Sequence, residues 1–128
     1  MSENVAVARR WVELYNDRSD VAEFLSLLDP EVVLQTPDCP RLRGHDEARD
    51  WFEKEFENVQ SRIIPDRFVE DGDVVAGVGR TELRWIESGK IAHEFESAGV
   101  FWFRKSKIVR RRPFETHDAA LTAAGLAA

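Results

Sequence analysis

The chain has 128 residues, 43% of them hydrophobic, which allows one globular domain over 1–128 with a core and a ligand-sized cavity, and excludes two full domains. A net charge of −6 excludes the basic footprint of a nucleic-acid-binding protein, and the one basic run, Arg110-Arg111-Arg112, falls within a strand pattern. Lone Cys39 allows no intrachain disulfide, MSENVAVARRW lacks a signal-peptide core, and no apolar run reaches membrane-spanning length, so the expectation is a cytoplasmic protein away from membranes.

Val5, Ala8, Trp11, Val12 and Tyr15 recur at helical spacing and predict a helix over 5–15. Asp20 with Glu23 has the pattern of a capping box, starting a short helix through Leu28 that Pro30 closes. EVVLQTP reads as a strand, and PDCPRLRG, residues 37–44, as a loop by its prolines and glycine. A third helix opens at Asp46 and Glu47 and carries the apolar stripe Ala48, Trp51, Phe52, Phe56 and Val59.

The period then changes from helical to two. RIIPDRFVE, VVAGVGRTELRWIE, KIAHEFESAGVFWFR and KIVRRRPFE predict four strands joined by hairpins at Asp71-Gly72-Asp73, Ser88-Gly89 and Lys105-Ser106. Gly77, Gly79 and Gly99 mark positions where these strands bend. Thr116 caps a last helix from His117 to Ala124, stopped by Gly125. Helices followed by a long meander predict an α+β domain, a curved antiparallel sheet packed against N-terminal helices as a cone with a cavity.

Four strings, LQTP before the loop, RGHDEARDWF opening the third helix, GRTE in the third strand and AGVFWFRKSKIVRRRPFET at the end, resemble the nuclear transport factor 2-like superfamily. That superfamily includes ketosteroid isomerases and SnoaL-like polyketide cyclases, and the resemblance is nearest to the limonene epoxide hydrolases over almost the whole chain. It implies an Asp-Arg-Asp set that opens an epoxide with water: an acid, a base and a bridging Arg, with a Tyr and an Asn helping to hold the water. Position by position, Arg80 matches the Arg and Glu82 the acid, Gln35 falls at the Asn, Val33 at the Tyr, and Arg112 at the base. The resemblance therefore turns the Arg80–Glu82–Arg84 face into the cone, against the plain alternation that would turn these charges out and Leu83 and Trp85 in.

The chemistry departs from the family. A guanidinium at Arg112 accepts no proton, and Glu115 has the opposite parity and is expected to point away unless a bulge at Pro113 re-aims it. Asp38 could approach the mouth from its loop. Three neighbouring arginines would hold Glu82 ionised as a counter-ion. The isomerase positions are occupied by Trp11, Thr36 and Gly99, which supply neither donors nor base.

The resulting expectation is a protein binding a small organic molecule with an anionic group. Gln35, Arg84, His93, Phe95, Ser97, Phe101, Arg110, Arg112 and Phe114 would line an Arg-rich pocket, because arginine forks match carboxylates. The alternatives are an epoxide hydrolase using Glu82 as acid and Arg80 as bridge, and a structural dimer module without ligand. No spacing points to a metal, and no glycine fingerprint to a nucleotide cofactor. If Arg80 and Phe101 face inward, Leu83, Trp85, Val100 and Trp102 form a convex apolar patch, and a homodimer through it is expected.

Overall fold

Helix α1 (Glu3–Asp17) starts where the Ser2 hydroxyl oxygen accepts the Val5 N–H, and ends at Arg18, whose φ of 52° turns the chain back. The computed structural model describes residues 2–36, 39–54 and 56–126. After α1 come α2 (Val21–Ser26), β1 (Leu28–Thr36), β2 (Cys39–Arg43) and α3 (Gly44–Phe52). The meander follows as β3 (Val59–Asp71), β4 (Val74–Trp85), β5 (Ile91–Arg104) and β6 (Lys107–Phe114), and α4 (His117–Ala123) closes the chain. The strands form one sheet in the order β2-β1-β6-β5-β4-β3, antiparallel except for the β1–β6 pair.

Local chemistry explains most of the elements. Asp20 caps α2 through the Glu23 N–H, and Thr116 caps α4 through the Ala119 N–H. Gly72 and Gly89 hold positive φ in their hairpins, as do Lys105 and Ser106 in the third. Three predicted boundaries move. Pro30 lies inside β1 rather than ending α2, and the expected loop 37–44 contains strand β2. Helix α3 stops at Phe52, and Val59 opens β3 instead of extending the helical stripe.

The main core lies between α1–α3 and the concave face of the sheet. Trp11, Tyr15, Phe24, Trp51 and Phe52 stack there, with Phe101 edge-on to Trp11. Buried Asn16 sutures α1 to β3, donating to the Ile63 carbonyl and accepting the Ile63 N–H, both at 2.8 Å. β3 is an edge strand, so Asn16 takes the place of a further strand at that point.

Side-chain direction is set by three bulges. In β3 the register shifts between Pro65 and Arg67, leaving Asp66 as an extra residue. In β5 it shifts between the Arg84–Ile91 and Leu83–His93 pairs, leaving Ala92 extra. In β6 Val109 is extra between the Trp102–Arg110 and Phe103–Ile108 pairs. Each extra residue exchanges the faces of everything beyond it.

The consequence corrects two expectations. Thr81 pairs with Phe95 and Ile63, so Gly77, Gly79 and Thr81 share the concave face with Phe95, Ser97 and Gly99. Arg80, Glu82 and Arg84 therefore lie on the convex face, where Glu82 pairs with Glu94 and Arg62. The convex patch of Leu83, Trp85, Val100 and Trp102 also does not exist as one surface. Val100 and Trp102 lie with Ala76, Val78 and Ala98 under α4 and its tail, packed by Ala120, Leu121 and Leu126, while Leu83 and Trp85 belong to the other face. The helices thus cover both faces of the sheet.

A methyl group at Gly79 would collide with the Ile64 carbonyl oxygen and the Pro65 backbone at the β3 bulge. Gly79→Ala is therefore expected to cost about 3 kcal/mol in chemical denaturation, because backbone cannot yield as a side-chain tip does.

Glu82, 4% exposed, accepts from Arg84 Nε at 3.0 Å and lies 3.5 Å from Arg80. Removal from water opposes its charge, but the Arg84 hydrogen bond and the charges of Arg84 and Arg80 prevail and hold the carboxyl below its ordinary 4.5. A depressed folded-state pKa stabilises above the unfolded value and is lost as pH falls through the folded one. Glu82→Gln should therefore melt several degrees lower than the parent at pH 7, with the gap narrowing once the pH drops below 4.5. A pH-independent gap would show that the ion pairs do not contribute.

Candidate functional site

A cavity of about 350 Å³ lies between α1 and the concave face. α1 contributes Val12 and Tyr15, β3 contributes Ser61, Ile63, Pro65 and Phe68, and the central strands supply the floor. That floor is low because three of its residues are glycines. A Cβ at Gly77 would meet the Phe68 ring at 2.9 Å, and one at Gly99 would occupy the space of the Arg111 guanidinium. Phe68 and Arg111 can thus lie flat against the sheet.

Arg111 is 4% exposed and is the arginine that enters the wall. Its guanidinium lies over Trp11 at 4.9 Å and Phe101 at 5.6 Å, and Nη1 donates to the Gln35 carbonyl at 3.2 Å. Two hydroxyl pairs also reach the cavity. Tyr15 donates to Ser61 Oγ at 3.0 Å, and Thr81 Oγ1 lies 2.7 Å from Ser97 Oγ. Glu115 borders the cavity as well, because Arg111, Pro113 and Glu115 share the concave parity of β6 and its extension. The expectation that Glu115 points away is overturned by the bulge at Val109, not by one at Pro113.

Of the residues expected to line a pocket, Phe95, Ser97, Phe101 and Phe114 do border this cavity. Arg80 touches its edge, but its guanidinium is held by Glu94 at 3.3 Å and Glu82 at 3.5 Å, with Asp66 at 4.0 Å. Glu82 and Arg84 lie on the convex face, and Arg84 also donates to the Gly89 carbonyl at 2.7 Å. Arg110 and Arg112 are exposed on that face over the rings of Trp102 and Phe114, at 4.9 and 5.1 Å. His93 is exposed near the start of β5, its ring 5.5 Å from Phe95, and Gln35 meets Arg111 through its backbone. Asp38 lies outside the described residues.

The Arg-rich wall therefore becomes a mainly apolar one, with Arg111, Glu115 and two hydroxyl pairs as its polar groups. Arg111, Thr81, Tyr15 and Ser61 were not foreseen as lining residues. Thr81 was recoverable from plain alternation, which puts Arg80 and Glu82 out and Thr81 in. Among the described residues, no group of three or more His, Cys, Asp and Glu side chains is placed to hold a metal ion, and no helix is long and apolar enough to cross a membrane.

Solved structures share the fold at low identity. A protein of unknown function from Burkholderia pseudomallei, described as NTF2-like, matches at 22% identity and a TM-score of 0.75, covering 97% of this chain and 98% of its own. A putative polyketide cyclase from Pseudomonas putida matches at 15% identity and 0.72, over 100% and 99%. An LEH-like epoxide hydrolase from M. tuberculosis matches at 16% identity and 0.71, over 95% and 89%. No curated protein matches in sequence. The curved six-stranded sheet, its N-terminal helices and these neighbours establish the nuclear transport factor 2-like fold. Residues 8–111 match the SnoaL-like domain, most of the length of the chain, and the protein belongs to that family.

Proposed function

We propose that this SnoaL-like domain binds a small organic molecule with an apolar body in the cavity beneath α1. The observation that carries the reading is a cavity of about 350 Å³ walled mainly by apolar side chains from α1 and the central strands. Ligand pockets are concave and mainly apolar, with a few polar groups, and begin at roughly 300 Å³. Gly77 and Gly99 support it further, since both positions keep neighbouring side chains flat and the volume open. Arg111 in the wall makes carboxylates suitable probes beside neutral compounds.

The epoxide hydrolase alternative, with Glu82 as acid and Arg80 as bridge, needs a protonated carboxyl facing the substrate. Glu82 is instead held ionised by Arg84 and Arg80, on the side of the sheet away from the cavity. A ligand-free dimer module has lost the patch that motivated it, because α4 covers Val100 and Trp102.

Bicyclic hydrocarbons, ketones and carboxylates are expected to raise the melting temperature and to alter the fluorescence of Trp11, which touches Phe101 and Arg111 in the wall. At a hundredfold excess over Kd the stabilisation is about 2.7 kcal/mol. Val12→Phe, which extends a ring into the cavity, should abolish the shift, and Arg112→Ala, exposed on the other face, should leave it intact. Absence of any shift across the panel, or a full shift in Val12→Phe, contradicts the reading.

A further inference from the structure

Thr81 and Ser97 stand on neighbouring central strands, β4 and β5, and both face the cavity floor. Their hydroxyl oxygens are 2.7 Å apart, and Thr81 is only 3% exposed. A hydroxyl carries one proton and two lone pairs. The bond between them engages one of the two protons, whichever residue donates. The other proton has no acceptor among the described residues, since neither side chain makes a second hydrogen bond there.

Around this pair the wall is apolar, with Phe95, Ile63 and Phe101 bordering the same cavity. A hydroxyl proton facing such a wall is satisfied by water or by an oxygen brought in by a ligand. The pair is well positioned for recognition, whichever hydroxyl keeps the free proton. Thr81 is fixed by pairing on both sides, with Ile63 and with Phe95, and the β-branched side chain restricts its rotamers. A site built around a buried donor discriminates against analogues that leave it unpaired.

We propose that the Thr81–Ser97 hydroxyl pair is the polar recognition point of the cavity, donating one hydrogen bond to a carbonyl-type oxygen on an otherwise apolar ligand. This deepens the small-molecule reading and rests on it. Glu115, a hydrogen-bond acceptor when ionised, borders the same cavity but cannot substitute for this donor.

The test compares 1-tetralone with tetralin, nearly the same shape with and without the carbonyl oxygen. Dissociation constants are measured by tryptophan fluorescence for the wild type and for Thr81→Val/Ser97→Ala. Both proteins also receive a melting curve as a check on folding. The preference for the ketone, taken as the ratio of the tetralin to the tetralone constant, should fall about five- to tenfold in the double variant, the effect of one hydrogen bond. Tetralin itself should bind both proteins within twofold. If the double variant does not fold, Thr81→Ala/Ser97→Ala, which also removes both hydroxyl protons, should produce the same fall in preference. An unchanged ratio in a folded variant overturns the proposal and leaves the cavity reading standing. Failure of both compounds to bind the wild type overturns the cavity reading, and the recognition point with it.

Discussion

One extra residue, Ala92, decides which side chains of the central sheet meet the cavity. Without it the hairpin register that pairs Arg84 with Ile91 would continue, and Arg80 would lie opposite Phe95. With it Thr81 lies opposite Phe95, and the charged residues turn to the other face. The bulge at Val109 does the same for β6, exchanging Arg110 and Arg112 for Arg111. These two shifts bring Arg111, Glu115 and the Thr81–Ser97 hydroxyl pair to the cavity, while Tyr15 and Ser61 reach it from α1 and β3.

The two faces then solve different physical problems. On the convex side the ion ladder of Arg80, Glu82, Arg84 and Glu94 covers the half of the sheet that α4 leaves open, while small residues, Ala76, Ala98 and Ala120, let α4 approach the other half. On the concave side bulky aromatics of α1, α2 and α3 fill the core, and Gly77 and Gly99 let Phe68 and Arg111 lie flat against the sheet beside the cavity. α1 can roof a partly empty space because Asn16 fastens it to the Ile63 backbone and the Arg18 guanidinium joins it to the carbonyls of Trp51 and Phe52. The helix is held by its polar C-terminal end as well as by hydrophobic contact.

Much of the fold was legible in the sequence because its signals are local. Asp- and Thr-capped helices, hairpin glycines and the change of period from helical to two each depend on a few adjacent residues. The family strings supplied the curved sheet packed against N-terminal helices, while the parallel placement of β1 beside β6 was not foreseen, because local patterns do not encode it. The faces of the strands were not legible in the same way. Alternation gives two sets of residues per strand, and which set points inward depends on the register between strands. Ala92 and Val109 carry no mark of a bulge in their residue type. For β4 the plain reading, charges outward, proved correct, and the position-by-position resemblance of Arg80 and Glu82 led away from it. For β6 no local signal separated Arg111 from its two arginine neighbours.

The central claim is that Ser97 faces the ligand cavity and its neighbour Glu96 faces away. Thiol accessibility tests it directly, using single-cysteine proteins with Cys39→Ser and either Ser97→Cys or Glu96→Cys. Alkylation rates are measured with and without saturating 1-tetralone. The account predicts that the ligand slows reaction at position 97 and leaves position 96 unchanged. Protection at 96, or equal rates at both positions whether or not the ligand is present, would contradict it.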